Sequence, residues 1–90
     1  MNENEMYYDF GLAIMKKLRD RVRGKIVFEV YKEIDAVIFK IYFKDFNFKY
    51  VVKDVTDIVL LGSSDMVINE ILKKYREVVM KAFFKGENKF

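Results

Sequence analysis

The chain has 90 residues, 52% of them hydrophobic, with six tyrosines, nine phenylalanines and a net charge of +3. That size and apolar content predict one domain with one core, and argue against long disordered segments. Cys and His are both absent, which excludes disulfides, thiolate metal sites and histidine acid–base chemistry. Only carboxylates, hydroxyls and lysines remain as catalytic groups, so the expectation is a protein that is not an enzyme and uses no cofactor or metal. No apolar run approaches the about 20 residues that span a bilayer. The start, MNENEMYYDF, is acidic where a signal peptide would be basic, so a cytoplasmic protein without a membrane partner is expected.

Asn2 and Asn4 are candidate N-caps for a helix from about Glu5 to Arg23. Tyr7, Phe10, Ile14, Leu18 and Val22 recur at three- and four-residue steps and form one apolar stripe. Acidic Glu3, Glu5 and Asp9 stand near its start and basic Lys16, Lys17, Arg19, Arg21 and Arg23 near its end, as the helix dipole favours. Gly24 is placed to end it as the C′ residue with positive φ.

From Lys25 to Lys53 the chain alternates with period two in three runs. Ile26, Phe28 and Val30, then Val37, Phe39, Ile41 and Phe43, then Phe46, Phe48, Tyr50 and Val52 form one apolar face. The other face is mixed: Val27, Glu29 and Tyr31, then Ile38, Lys40 and Tyr42, then Asn47, Lys49, Val51 and Lys53. An antiparallel sheet covered on one side has this pattern. The connection from Lys32 to Ala36 lacks Gly, Asn and Pro, so its turn type cannot be read. The next connection is tighter, near Lys44 and Asp45.

Val55 to Leu61 reads either as a fourth short strand or as helical turns after Thr56 or Asp54, closed by Gly62; the reading leans towards helix. Ser63 or Ser64 then caps a second long helix to about Phe84. Its stripe is Val67 or Ile68, Ile71, Leu72, Tyr75, Val78, Val79, Ala82 and Phe83. Residues 86–90 read as a frayed tail of a domain covering 1–90. The expected class is α+β: a three-stranded antiparallel meander covered on one face by an N-terminal and a C-terminal helix, in the order α-β-β-β-(short element)-α.

Two surfaces are candidate sites. The mixed sheet face offers Tyr31, Ile38, Lys40, Tyr42, Lys49 and Val51, either as a self-association or protein-docking surface or as an aromatic and basic platform for single-stranded bases. Cross-strand pairing, such as Glu29 with Lys40, is the purely structural reading of the same residues. The second candidate is a phosphate-contacting patch of Lys16, Lys17, Arg19, Arg21, Arg23 and Lys25. Against it stands a solvated helix end that complements its own dipole, with Asp20 paired to Lys16 or Lys17. Asp54 and Asp57 lack the further carboxylate that hydrolysis or Mg²⁺ would need and read as turn caps. Met66 and Met80 read as core or edge filler.

The α-β-β-β-α order resembles that of the double-stranded-RNA-binding domain. That family opens its last helix with a basic KKxxK-like cluster, whereas Ser63-Ser64-Asp65-Met66-Val67 stands in that place here. The likeness therefore extends to element order and not to the RNA-gripping residues. The whole outline also resembles small phage and prophage proteins of low-GC Gram-positive bacteria, with a Tyr-rich start (Met6-Tyr7-Tyr8), an aromatic meander ending in Tyr50-Val51-Val52, then an Asp and a closing helix. That resemblance implies a small accessory or interaction protein and brings no functional residues with it. The expected function is thus a non-enzymatic interaction protein acting through protein contacts or as a homodimer. The alternative is a nucleic-acid-binding module using the basic helix end and the Tyr/Lys face.

Overall fold

The computed structural model describes residues 3–43 and 47–87, with side chains for 5–43 and 47–82. The elements are α1 (Glu3–Arg19), β1 (Lys25–Tyr31), β2 (Ala36–Tyr42), β3 (Asn47–Lys53), α2 (Val55–Leu61) and α3 (Ser64–Glu87), with a short 3-10 turn at Lys32–Ile34. The three strands form one antiparallel sheet in the order β1-β2-β3, and α1 and α3 cover one face, as the α+β reading expected. The ambiguous Val55–Leu61 segment is helical, closed by Gly62 at φ 64°.

Side-chain alternation explains the layering. Val37, Phe39, Ile41, Phe48 and Val52 are buried, with Ile26, Phe28, Val30 and Tyr50 packed beside them. The α1 stripe of Tyr7, Phe10, Ile14, Leu18 and Val22 lies on them, joined by Val67, Ile68, Ile71 and Leu72 of α3 and Val55 of α2. No polar or charged side chain among the described residues is buried, so burial of apolar surface is the main stabilising term. Gly11 lets α1 approach the sheet closely. A Cβ there would sit 2.4 Å from the Phe28 ring, a clash that a larger residue relieves only by moving the helix or the ring.

Several boundaries differ from expectation. The helix α1 begins at Glu3, so Asn4 is helical and not its cap; Asn2 lies outside the described residues. It ends at Arg19, not Arg23, and Val22 stays buried because its N–H still reaches the Leu18 carbonyl at 3.0 Å. Gly24 does take positive φ, 109°, but as the pivot into β1 and not as C′. Only glycine fits there, since a Cβ would lie 2.5 Å from the Tyr42 carbonyl oxygen. The helix α3 runs to Glu87 and so includes Gly86, whereas Ala82, expected in its stripe, is exposed. The Lys44–Asp45 connection, Phe46, the Phe83 side chain and residues 88–90 lie outside what is described.

Asp35 joins three elements at one end of the sheet. Its Oδ1 accepts from the Tyr7 hydroxyl of α1 (2.8 Å), from the Thr56 hydroxyl (2.8 Å) and from the Thr56 N–H at the start of α2 (3.1 Å). Its carbonyl accepts from Val55 N–H at 3.2 Å. It thus caps a helix that begins 20 residues later. Asp54 holds the N-cap position, but its side chain makes no capping bond, which corrects the expectation that Asp54 or Thr56 caps the turn. Asp35 also holds φ 51°, a left-handed conformation that aspartate tolerates better than most residues.

Desolvation pushes the Asp35 carboxyl up, but the bonds from the Thr56 hydroxyl, the Tyr7 hydroxyl and the Thr56 N–H outweigh it and hold it below the usual aspartate value. A carboxylate depressed in the folded state stabilises above its unfolded pKa, and that stabilisation is lost as pH falls through the folded value. In urea unfolding we expect Asp35→Asn, which keeps an acceptor and tolerates positive φ, to cost least. Asp35→Ala loses cap, hydroxyl partners and backbone compatibility together and is expected to cost about 2–4 kcal/mol. The advantage of wild type over Asp35→Asn is expected to hold at neutral pH and to fall away below about pH 4. A constant difference down to strongly acid pH would mean that the charge contributes nothing.

Candidate interaction surface

The uncovered side of the sheet is set by the same alternation. Register places Val27 beside Lys40 and Lys40 beside Lys49; Glu29 beside Ile38 and Ile38 beside Val51; Lys25 beside Tyr42 and Tyr42 beside Asn47; Tyr31 beside Ala36 and Ala36 beside Lys53. All six candidate face residues, Tyr31, Ile38, Lys40, Tyr42, Lys49 and Val51, therefore lie together on this side. Val27, Ile38 and Val51 supply the apolar residues of its two middle rows. Lys40 and Lys49 share the row of Val27, Glu29 shares that of Ile38 and Val51, and the two ends carry Lys25 with Tyr42 and Lys53 with Tyr31; Glu29 is the one carboxylate of the face.

Part of the face is occupied by its own pairing. The Lys40 ammonium donates to Glu29 Oε1 and the Tyr31 hydroxyl donates to Oε2, so the structural reading of Glu29 with Lys40 holds. The Lys40 bond first, then Tyr31, holds the Glu29 carboxyl below the usual range, and the same contact raises Lys40. Lys49 stands differently. It is exposed, directly opposite Lys40, and makes no ion pair among the described residues. Like charges directly opposite on a sheet are destabilising. Tyr42 is 40% exposed and its hydroxyl bonds to no other described residue. Lys40, Tyr42, Asn47, Phe48 and Lys49 line a shallow hollow of about 250 Å³ here.

The second candidate set is not one patch. Lys17 turns towards α3 and pairs with Asp65 at 3.3 Å, where a pairing with Asp20 was expected. Lys25 belongs to the open sheet face. Lys16, Arg19, Arg21 and Arg23 are exposed around the end of α1. The Arg23 N–H donates to the Tyr75 hydroxyl at 3.1 Å, and Gly24 abuts Tyr42. The connection from Arg21 to Lys25 therefore passes the Tyr42 end of the sheet.

One surface escaped the sequence reading. Leu60 and Leu61 of α2 are each 78% exposed, and Ile34, Met66 and Met80 are also mostly exposed, so of the core and edge readings of the two methionines the core one fails. The signal was the apolar run itself, since a helix of seven residues, about two turns, can bury only one side of it. Asp54 and Asp57 are both exposed, and no group of three acidic side chains placed to hold a metal ion occurs among the described residues. No helix among them is long and apolar enough to cross a membrane.

If Lys49 is kept at a folding cost, replacing it should relieve that cost. We expect Lys49→Glu, which sets a carboxylate opposite Lys40, to leave the urea midpoint unchanged or to raise it. A marked loss of stability would show that Lys49 supports the sheet. Compared with protein-family models, with curated proteins and with solved structures, the chain matches none, so the function is argued from its own residues.

Proposed function

We propose that this protein is a non-enzymatic interaction module, working in the cytoplasm, that docks an acidic macromolecule on its open sheet face. The observation that supports this most directly is the composition of that face: four lysines against one glutamate, interleaved with Val27, Ile38 and Val51. Covered faces are built for burial, and here both long helices lie on the other side. The exposed side keeps Val51 at 42% exposure and Tyr42 at 40%, alongside a like-charge pair that folding alone does not favour.

A second copy docked face to face would set four lysines against four, which charge repulsion opposes. An acidic partner meets the lysines and still covers Val27, Ile38 and Val51. The accessory role implied by the outline resemblance to phage proteins agrees with such a module.

The test is charge-matched. Lys25→Glu/Lys49→Glu/Lys53→Glu alters the open face, and Lys73→Glu/Arg76→Glu/Lys81→Glu makes the same change in net charge on exposed positions of α3. With polyglutamate as the acidic probe, we expect wild type and the α3 variant to bind, and the sheet variant to lose binding. Equal loss in both variants would reduce the effect to net charge and remove the proposed face. Sedimentation of the wild type should show a monomer; a face-to-face dimer disrupted by Ile38→Asp would replace the acidic partner with a second copy.

A further inference from the structure

We propose that the acidic partner is single-stranded nucleic acid, with a base stacked on Tyr42 and the backbone running from Lys40 and Lys49 towards Lys25 and Arg23. This rests on the docking reading above and specifies its ligand.

The size of the face is the first argument. Three strands of seven residues make a surface about 20 Å long and about 10 Å between the outer strands. A few hundred square ångströms is well below the about 800 Å² per partner of a standard protein interface. A narrow, flexible, highly charged strand needs less area, because phosphate neutralisation supplies much of its affinity.

The arrangement around Tyr42 is the second. The ring is flanked across the sheet by Lys25 on β1 and Asn47 on β3. Lys40 and Lys49 follow one step along the same face, around the shared hollow. A run of acidic side chains would use these ammonium groups but has no aromatic face for the ring. A strand of nucleic acid presents both, since every base has a face to stack and every linkage has a phosphate. Asn47 adds an amide that can donate to and accept from a base edge. In a duplex the base faces are stacked on one another, so Tyr42 would have nothing to hold.

Continuity is the third. Gly24 lies against the Tyr42 carbonyl, and Arg23 is tied by its N–H to Tyr75. Arg23 and Lys25, exposed on either side of Gly24, therefore leave the chain beside the Tyr42 end of the sheet, whereas Arg21 lines a hollow against α3 with Lys17 and Asp65. The end of the basic run, at Arg23 and Lys25, thus meets the open face here.

The experiment is fluorescence anisotropy with labelled oligothymidylate, the corresponding duplex and polyglutamate, at low and near-physiological salt. Single-stranded binding is expected, with log affinity falling against log salt with a slope of about −2 for three phosphates engaged. Tyr42→Ala should weaken oligothymidylate binding about tenfold while Tyr42→Phe does not, since the ring supplies the stacking. Polyglutamate binding should be indifferent to both. Melting curves of the variants confirm folding, and the phenylalanine variant separates loss of the ring from a general disturbance. If the sheet face binds polyglutamate but oligothymidylate binding is unchanged by Tyr42→Ala, the acidic-partner reading stands and the nucleic-acid inference falls. Equal or tighter binding of duplex also overturns it. If neither probe binds at low salt, both readings fall.

Discussion

One carboxylate fixes the relation between the helices and the sheet. Asp35 sits where the chain leaves the turn after β1, and it receives hydrogen bonds from α1 and from α2 on the same oxygen, while its carbonyl takes Val55 N–H. These bonds lie at the edge of the core, where a helix start without partners would be costly. Because the cap comes from the sheet, α2 begins where the meander ends, and α3 is directed back across the layer that α1 already covers. The left-handed backbone at Asp35 and again at Asp54 turns the chain sharply at that end. Two acidic residues thus do at these corners what glycine does at Gly24 and Gly62.

The opposite end is held by rings. Tyr75 of α3 stacks on Phe43 at 5.5 Å between centroids, meets Phe48 edge-on at 6.4 Å, and accepts from Arg23 N–H. This draws the α1–β1 connection, the end of β2 and the start of β3 to one helix. Both anchors act on the covered side. Nothing in the covered layer needs the outward side chains, so the open face is free to carry charge and exposed rings with little loss of stability.

Much of this was legible in the sequence, because the signal and its cause are both local. Period-two alternation assigned the inward and outward residues of all three strands, and the i, i+3, i+4 stripe picked out the α1 residues that are buried. The misses are non-local. A cap supplied by Asp35 to Thr56 leaves no local pattern, and the connection that holds it lacks the usual turn residues. Asp54 looked like the cap because caps are normally adjacent in sequence. Val55–Leu61 was ambiguous since seven apolar-rich residues fit either period. Its exposed leucines followed only once its helical form and its single buried side were known. The basic run from Lys16 to Lys25 looked continuous along the chain, but folding divides it: Lys17 goes to Asp65 and Lys25 to the sheet.

That division bears on where function resides. Along α1, cations near the helix end complement the dipole, so their presence needs no partner to explain it. Lys49 has no such reason. It faces Lys40 across the sheet and forms no ion pair among the described residues, feeling Glu29 only at a distance, and a residue of ordinary strand propensity would serve the fold as well. Tyr42 likewise presents an aromatic ring to solvent beside that pair instead of adding to the aromatic cluster formed by Tyr75. Residues that break a local rule without a folding gain tend to mark functional sites. Here two such residues adjoin one hollow, at the end of the sheet where Gly24 leads into Lys25. The covered side accounts for the stability of the fold; this corner is the part of the surface that stability leaves unexplained.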